Sequence, residues 1–91
     1  MSPYRRPDHV AVARATDADT DTELLYLALL PDGPVIELNG TSALIWQAAV
    51  SSAEDVAATV ADEVGVGRST VVGDVDRFLG QLAELGFIEP V

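Results

Sequence analysis

The chain has 91 residues, with fifteen acids against five bases and a net charge of −10. That length holds a single domain with a modest core, and the charge repels nucleic acid and anionic membranes at long range. There is no cysteine, which removes disulfides, thiolate nucleophiles and Cys-based zinc sites and fits a reducing, cytoplasmic location.

Residues 1–8 (MSPYRRPD) carry two prolines and two arginines and read as a flexible N-terminal arm, with the folded domain spanning 9–91. They do not form a signal peptide. From His9 the residues alternate, Val10 and Val12 against Ala11 and Ala13, which predicts a first strand. Thr16 to Thr22 is a polar, acidic loop. Glu23 to Leu30 (ELLYLALL) contains the longest apolar run, too short for a membrane span, and its length and flanking turn signals suggest a strand buried on much of both faces, with a helix as the competing reading. Pro31-Asp-Gly-Pro34 is a turn in which Gly33 is expected to supply a positive φ. Val35 to Leu38 follows as a third strand, Ile36 and Leu38 sharing one face and Val35 and Glu37 the other.

The period then changes. Asn39 or Thr41 can cap a helix from about Ser42 to Val50 carrying Leu44, Ile45 and Ala48. Ser51 with Glu54, or Ser52 with Asp55, has capping-box spacing for a second helix, which bears Val56, Ala57, Val60, Ala61 and Val64 and ends at Gly65. Ser69 or Thr70 would cap a third helix. Its stripe is Val71, Val75, Phe78, Leu82 and Leu85, with Val72, Leu79 and Ala83 beside it and Gly86 as C-cap. Phe87 to Pro90 is a tail that can pair or pack as a wing. The order of three strands and three helices predicts an α+β fold, an antiparallel meander beside a helical cluster.

Catalytic chemistry is scarce. His9 is the one histidine and has no nucleophile at a recognisable spacing. Ser42, Ser51, Ser52 and Ser69 are accounted for by helix starts. Gly65-Val-Gly67 follows a helix and lacks the third glycine of a phosphate cradle. Asp17, Asp19, Asp21 and Glu23 alternate like the start of a calcium loop, but the mid-loop glycine and distal glutamate are missing, so a solvated hairpin connection is the better reading. Trp46 is expected in the core with its indole N–H on a backbone acceptor. Asp74, Arg77 and Gln81 form a polar flank of the third helix. No enzyme, metal site or cofactor is expected. The third strand stands out instead. In a sequential meander it is an edge, and an unblunted edge is a place for an added strand.

Val35-Ile-Glu-Leu-Asn39-Gly-Thr-Ser-Ala-Leu-Ile-Trp46 resembles the "LN-x-T-A-x-x-IW" signature of PqqD-like proteins, also called RiPP recognition elements. Asp74-Val-Asp-Arg-Phe-Leu79, Leu82 and Gly86-Phe-Ile resemble that family's "D-V-x-x-F-L-x-x-L-x-x-x-G-L-I" ending. The likeness covers about residues 9–90, with the usual alanine displaced to Ala43 and the usual Asp-Gly after the first helix replaced by Val50-Ser-Ser52. The resemblance implies a winged helix-turn-helix with a three-stranded antiparallel sheet followed by three helices. It implies non-catalytic binding of the leader segment of a ribosomally made precursor peptide. The leader would add beside the third strand, in a groove bounded by the third helix. Carried over, the peptide-binding residues are Pro34, Val35, Ile36, Glu37, Leu38, Asp74, Arg77 and Phe78.

A free-standing copy with so acidic a surface looks most like the recognition subunit of lasso-peptide clusters, which implies two partners, a leader peptidase and an ATP-dependent cyclase. The alternative within the family is the pyrroloquinoline quinone peptide chaperone, serving a radical enzyme. A winged-helix DNA-binding regulator shares the element order. Its recognition helix would need cations, whereas the third helix carries Asp74, Asp76 and Glu84 along with Arg77. An acyl carrier would need an Asp-Ser pair, and none is present.

Overall fold

The computed structural model describes residues 3–51 and 53–91, and within them the chain forms five strands and three helices. The three expected strands appear as β2 (Val10–Asp17), β3 (Thr22–Leu29) and β4 (Val35–Asn39), an antiparallel sheet in the order β2-β3-β4. The helices are α1 (Gly40–Val50), α2 (Val56–Val64) and α3 (Arg68–Leu85). Within the segment read as a flexible arm, Tyr4–Arg5 forms β1 and pairs with β5 (Glu89–Pro90), held by an Arg5–Glu89 ion pair. This two-stranded ribbon joins the two ends of the described chain.

The acidic loop is shorter than its composition suggests. Thr16 pairs with Glu23 and Asp17 with Thr22, so β2 and β3 run to the rim of a tight turn. The Asp19 amide donates to the Asp17 carboxylate there, and Asp21 takes a φ of 55°, a region that aspartate tolerates. The 31–34 turn also works differently from expectation. Gly33 has no positive φ. Its amide donates to Leu29 C=O, and a Cβ on Gly33 would lie 2.3 Å from the Leu29 Cβ. Glycine is needed for close approach, and that approach sets where β4 begins.

Helix starts follow local chemistry. The Asn39 amide donates to Ser42 Oγ, which itself donates back to Asn39 C=O, closing the entry to α1. Asp55 caps α2, its carboxylate accepting from the Ala58 amide at 3.0 Å and from Arg68 Nε at 2.9 Å. Ser51 ends α1, and Ser52 lies outside the described residues. Ser69 and Thr70 are not caps; they lie inside the first turn of α3, whose N-cap is Gly67. Gly86 ends α3 in the left-handed conformation as expected.

The core lies between the inner face of the sheet and the helices. Leu25, Leu27, Val60, Val75, Leu82, Phe87 and Ile88 are fully buried. Of the tail, Phe87 and Ile88 are core, while Glu89–Pro90 makes the expected pairing, with β1. On α3 the buried line is Val75, Leu79 and Leu82, with Val71, Val72, Phe78 and Ala83 half-buried and Leu85 exposed. The stripe is thus turned toward Leu79, because α3 packs on α2 and α1 together.

Candidate functional site

β4 is the edge of the sheet, paired with β3 alone. Its side chains alternate as the sequence requires: Leu38 is buried and Ile36 half-buried on the inner face, while Val35 (64% exposed) and Glu37 point outward. Across the ladder Val35 lies opposite Ala28 and Glu37 opposite Tyr26.

The phase of the ladder decides which backbone groups remain free. Leu29 N–H donates to Pro34 C=O at 3.1 Å. In an antiparallel pair, hydrogen-bonded and non-hydrogen-bonded pairs alternate. Ile36 therefore exchanges bonds with Leu27, and Leu38 with Leu25, in the recorded register. The N–H and C=O groups of Val35 and Glu37 point the other way, off the sheet. Asn39 would be next along this edge, but its N–H and C=O are engaged by Ser42 Oγ. The open edge is a Val35–Glu37 dyad with four ladder groups.

This sharpens the strand residues expected to bind. Pro34 has no N–H, and its carbonyl is used by Leu29. Ile36 and Leu38 spend their backbones on β3, and Leu38 is core. Ile36 keeps a partly open side chain packed against the core.

The α3 residues are less closely tied to the edge. Asp74 and Arg77 form an exposed ion pair at 3.4 Å. Phe78 is half-buried and packs on the core from α3, as Ile36 does from β4. Among the described residues no hydrogen bond or ion pair joins Asp74, Arg77 or Phe78 to β4. α3 makes its main contacts with α2 and α1 rather than with the strand.

His9 is exposed, and the Asp17–Glu23 segment is a hairpin turn. No group of three or more metal-ligating side chains occurs among the described residues. Trp46 is buried, its indole N–H donating to Phe87 C=O at 3.3 Å. No helix among the described residues is long and apolar enough to cross a membrane.

Sequence reasoning missed a second surface, along the other edge of the sheet. An open cleft of about 980 Å³ lies where β2, α1 and α2 meet. Its lining includes Val12 and Arg14 from β2, Leu44, Gln47 and Val50 from α1, and Arg6. The available signal was two of only five cations close together, Arg6 just before β2 and Arg14 within it.

A family model described as coenzyme PQQ synthesis protein D (PqqD) matches residues 11–88. That span runs from β2 through all three helices to the buried tail, and so includes the β4 edge. No curated protein gives a significant match, and no solved structure does. The chain belongs to the PqqD family, the family of RiPP recognition elements.

Proposed function

We propose that this domain holds the leader segment of a ribosomally synthesised precursor peptide, which adds as a fourth strand beside β4. The observation that carries the reading is the Val35–Glu37 dyad, whose two N–H and two C=O groups point off the sheet edge. Family membership supports a peptide-binding chaperone role without catalysis.

Magnitudes favour a mixed mode of binding. Each ladder bond contributes about 0.5–1.5 kcal/mol net. Four of them supply about 2–6 kcal/mol before the cost of immobilising the peptide. Micromolar affinity needs about 8 kcal/mol after that cost. Side-chain burial must supply the difference, from half-buried Ile36 on β4 and, as the family resemblance implies, from half-buried Phe78 on α3. Asp74 and Arg77 then stand as polar contacts at the rim. Backbone pairing fixes the strand, and alternate side chains of the leader give selectivity.

In the finer reading, the three helices and the meander are a winged helix-turn-helix. The chain serves a lasso-peptide pathway, passing its precursor to a leader peptidase and an ATP-dependent cyclase in the cytoplasm. The second reading is a chaperone for pyrroloquinoline quinone synthesis, favoured by the family's description. The DNA-binding reading is disfavoured by exposed Asp74, Asp76 and Glu84 along α3.

The test is a titration of the isotopically labelled chain with synthetic leader segments of candidate precursors encoded near its gene. Binding at this edge shifts the amide signals of Val35 and Glu37 most, with smaller shifts on α3 around Phe78. No shift at millimolar leader overturns the reading for that leader. Leaders from the two pathway types, compared in one series, separate the two readings.

A further inference from the structure

The sheet has a second open edge, and it borders the 980 Å³ cleft. Leu30 N–H donates to His9 C=O at 2.8 Å, which sets the phase of the β2–β3 ladder. By the same alternation Ala11, Ala13 and Ala15 exchange bonds with Ala28, Tyr26 and Leu24. Val10, Val12, Arg14 and Thr16 therefore turn their backbones outward. The Val10 amide is used by Pro7 C=O, so the free run is Val12, Arg14 and Thr16.

Two of those three residues, Val12 and Arg14, also line the cleft, so the open edge and the cleft are one surface. Half-buried Val12, Leu44 and Val50 form an apolar strip there. The charge is unusual for this chain. Two guanidiniums, Arg6 and Arg14, face the cleft against one carboxylate, Glu63. The other two clefts described have linings of net −1 and −2, from Glu23 alone and from Glu54, Asp55 and Asp76 with Arg68. Arg14 is held by Glu23 at 2.7 Å, an exposed pair that a competing carboxylate can replace at little cost. Arg6 is the one arginine with no carboxylate partner among the described residues. An arginine on an edge strand ordinarily blunts it against chance pairing. Here that same charge selects for an incoming strand that carries acids.

We propose that the β2 edge is a second strand-addition site, taking an extended, acid-bearing segment of a partner polypeptide. Its backbone pairs with Val12, Arg14 and Thr16. Alternate apolar side chains cover Val12, Leu44 and Val50, and its carboxylates meet Arg6 and Arg14. The two sheet edges thus hold different peptides, and the domain joins them across three strands.

The probe is a blocked hexapeptide of alternating glutamate and valine, titrated into the labelled full-length chain at low salt, with an alternating lysine–valine peptide as control. The expected result is amide shifts at Val12, Arg14 and Thr16, with smaller ones at Gln47 and Ser51. Arg6→Glu is expected to weaken binding about tenfold, and 0.5 M salt to weaken it several-fold. Because Arg6 is exposed and outside the core, the variant's unchanged spectrum elsewhere confirms folding. The proposal is overturned if the glutamate peptide gives no shifts at millimolar concentration, if the lysine peptide binds equally well, if Arg6→Glu binds unchanged, or if the shifts fall on Val35 and Glu37 instead. Leader binding at β4 is read from different signals, so the failure of one site is seen separately from the other.

Discussion

The Trp46 indole N–H donates to the main-chain carbonyl of Phe87, across 41 positions of sequence, and both residues are buried. This bond ties α1, which follows directly from the β4 edge, to the tail that closes the core.

Trp46→Phe keeps most of the ring but leaves the Phe87 carbonyl without its donor. The expected loss is about 1–3 kcal/mol, the cost of an orphaned buried acceptor. Urea unfolding followed by circular dichroism measures it, since the substitution removes the only tryptophan.

Proline scanning of β4 separates the edge from the ladder. Val35→Pro removes an N–H that points off the sheet, so it weakens leader binding at least about tenfold with only a modest fall in Tm. Ile36→Pro removes an N–H that bonds Leu27 and costs about 3 kcal/mol or more of stability. Melting curves with leader titrations on both variants check the contrast. Equal destabilisation by the two would mean that the assigned phase is wrong.

Arg77→Ala breaks an ion pair whose side chains are both more than 70% exposed. Its effect on stability is expected within about 1 kcal/mol. If Arg77 rims the leader groove, the dissociation constant rises several-fold in the same variant while Tm holds. Calorimetric titration reads the first quantity and a thermal scan the second.

The Asp55 carboxyl is held below the usual aspartate range, first by the Ala58 amide and then by Arg68. A depressed folded-state value means the carboxylate stabilises the fold above the unfolded-state value. That contribution is lost as pH falls through the folded-state value. Asp55→Asn keeps an acceptor for the cap but carries no charge. Tm measured against pH is therefore expected to fall less steeply on the acid side in Asp55→Asn than in the parent. Parallel curves would contradict the assignment.

Much of this protein is written locally. The Val35-Ile-Glu-Leu alternation, the Asn39 helix entry and the Gly86 stop each depend on a few neighbouring residues, and each appears where the residue types demand it. Local reasoning misplaced Gly33, because its need for glycine comes from close approach to Leu29 rather than from its own φ. It misplaced the α3 stripe for a related reason. Several apolar lines run along that helix, and only packing on α1 and α2 picks Leu79 over Leu85.

The sequence by itself determined the element types, the two faces of β4 and a core tryptophan needing an acceptor. These follow from side-chain period, capping chemistry and composition, which act over a turn or a strand pair. Tertiary structure alone decided that Val35 and Glu37, rather than Ile36 and Leu38, present free backbone at the edge. It also paired Tyr4–Arg5 with Glu89–Pro90 and gathered Arg6 and Arg14 into one cleft with Leu44 and Val50. Hydrogen-bond phase and distant charge placement depend on register between strands and on how helices cross a sheet, and neither is encoded in any single local window.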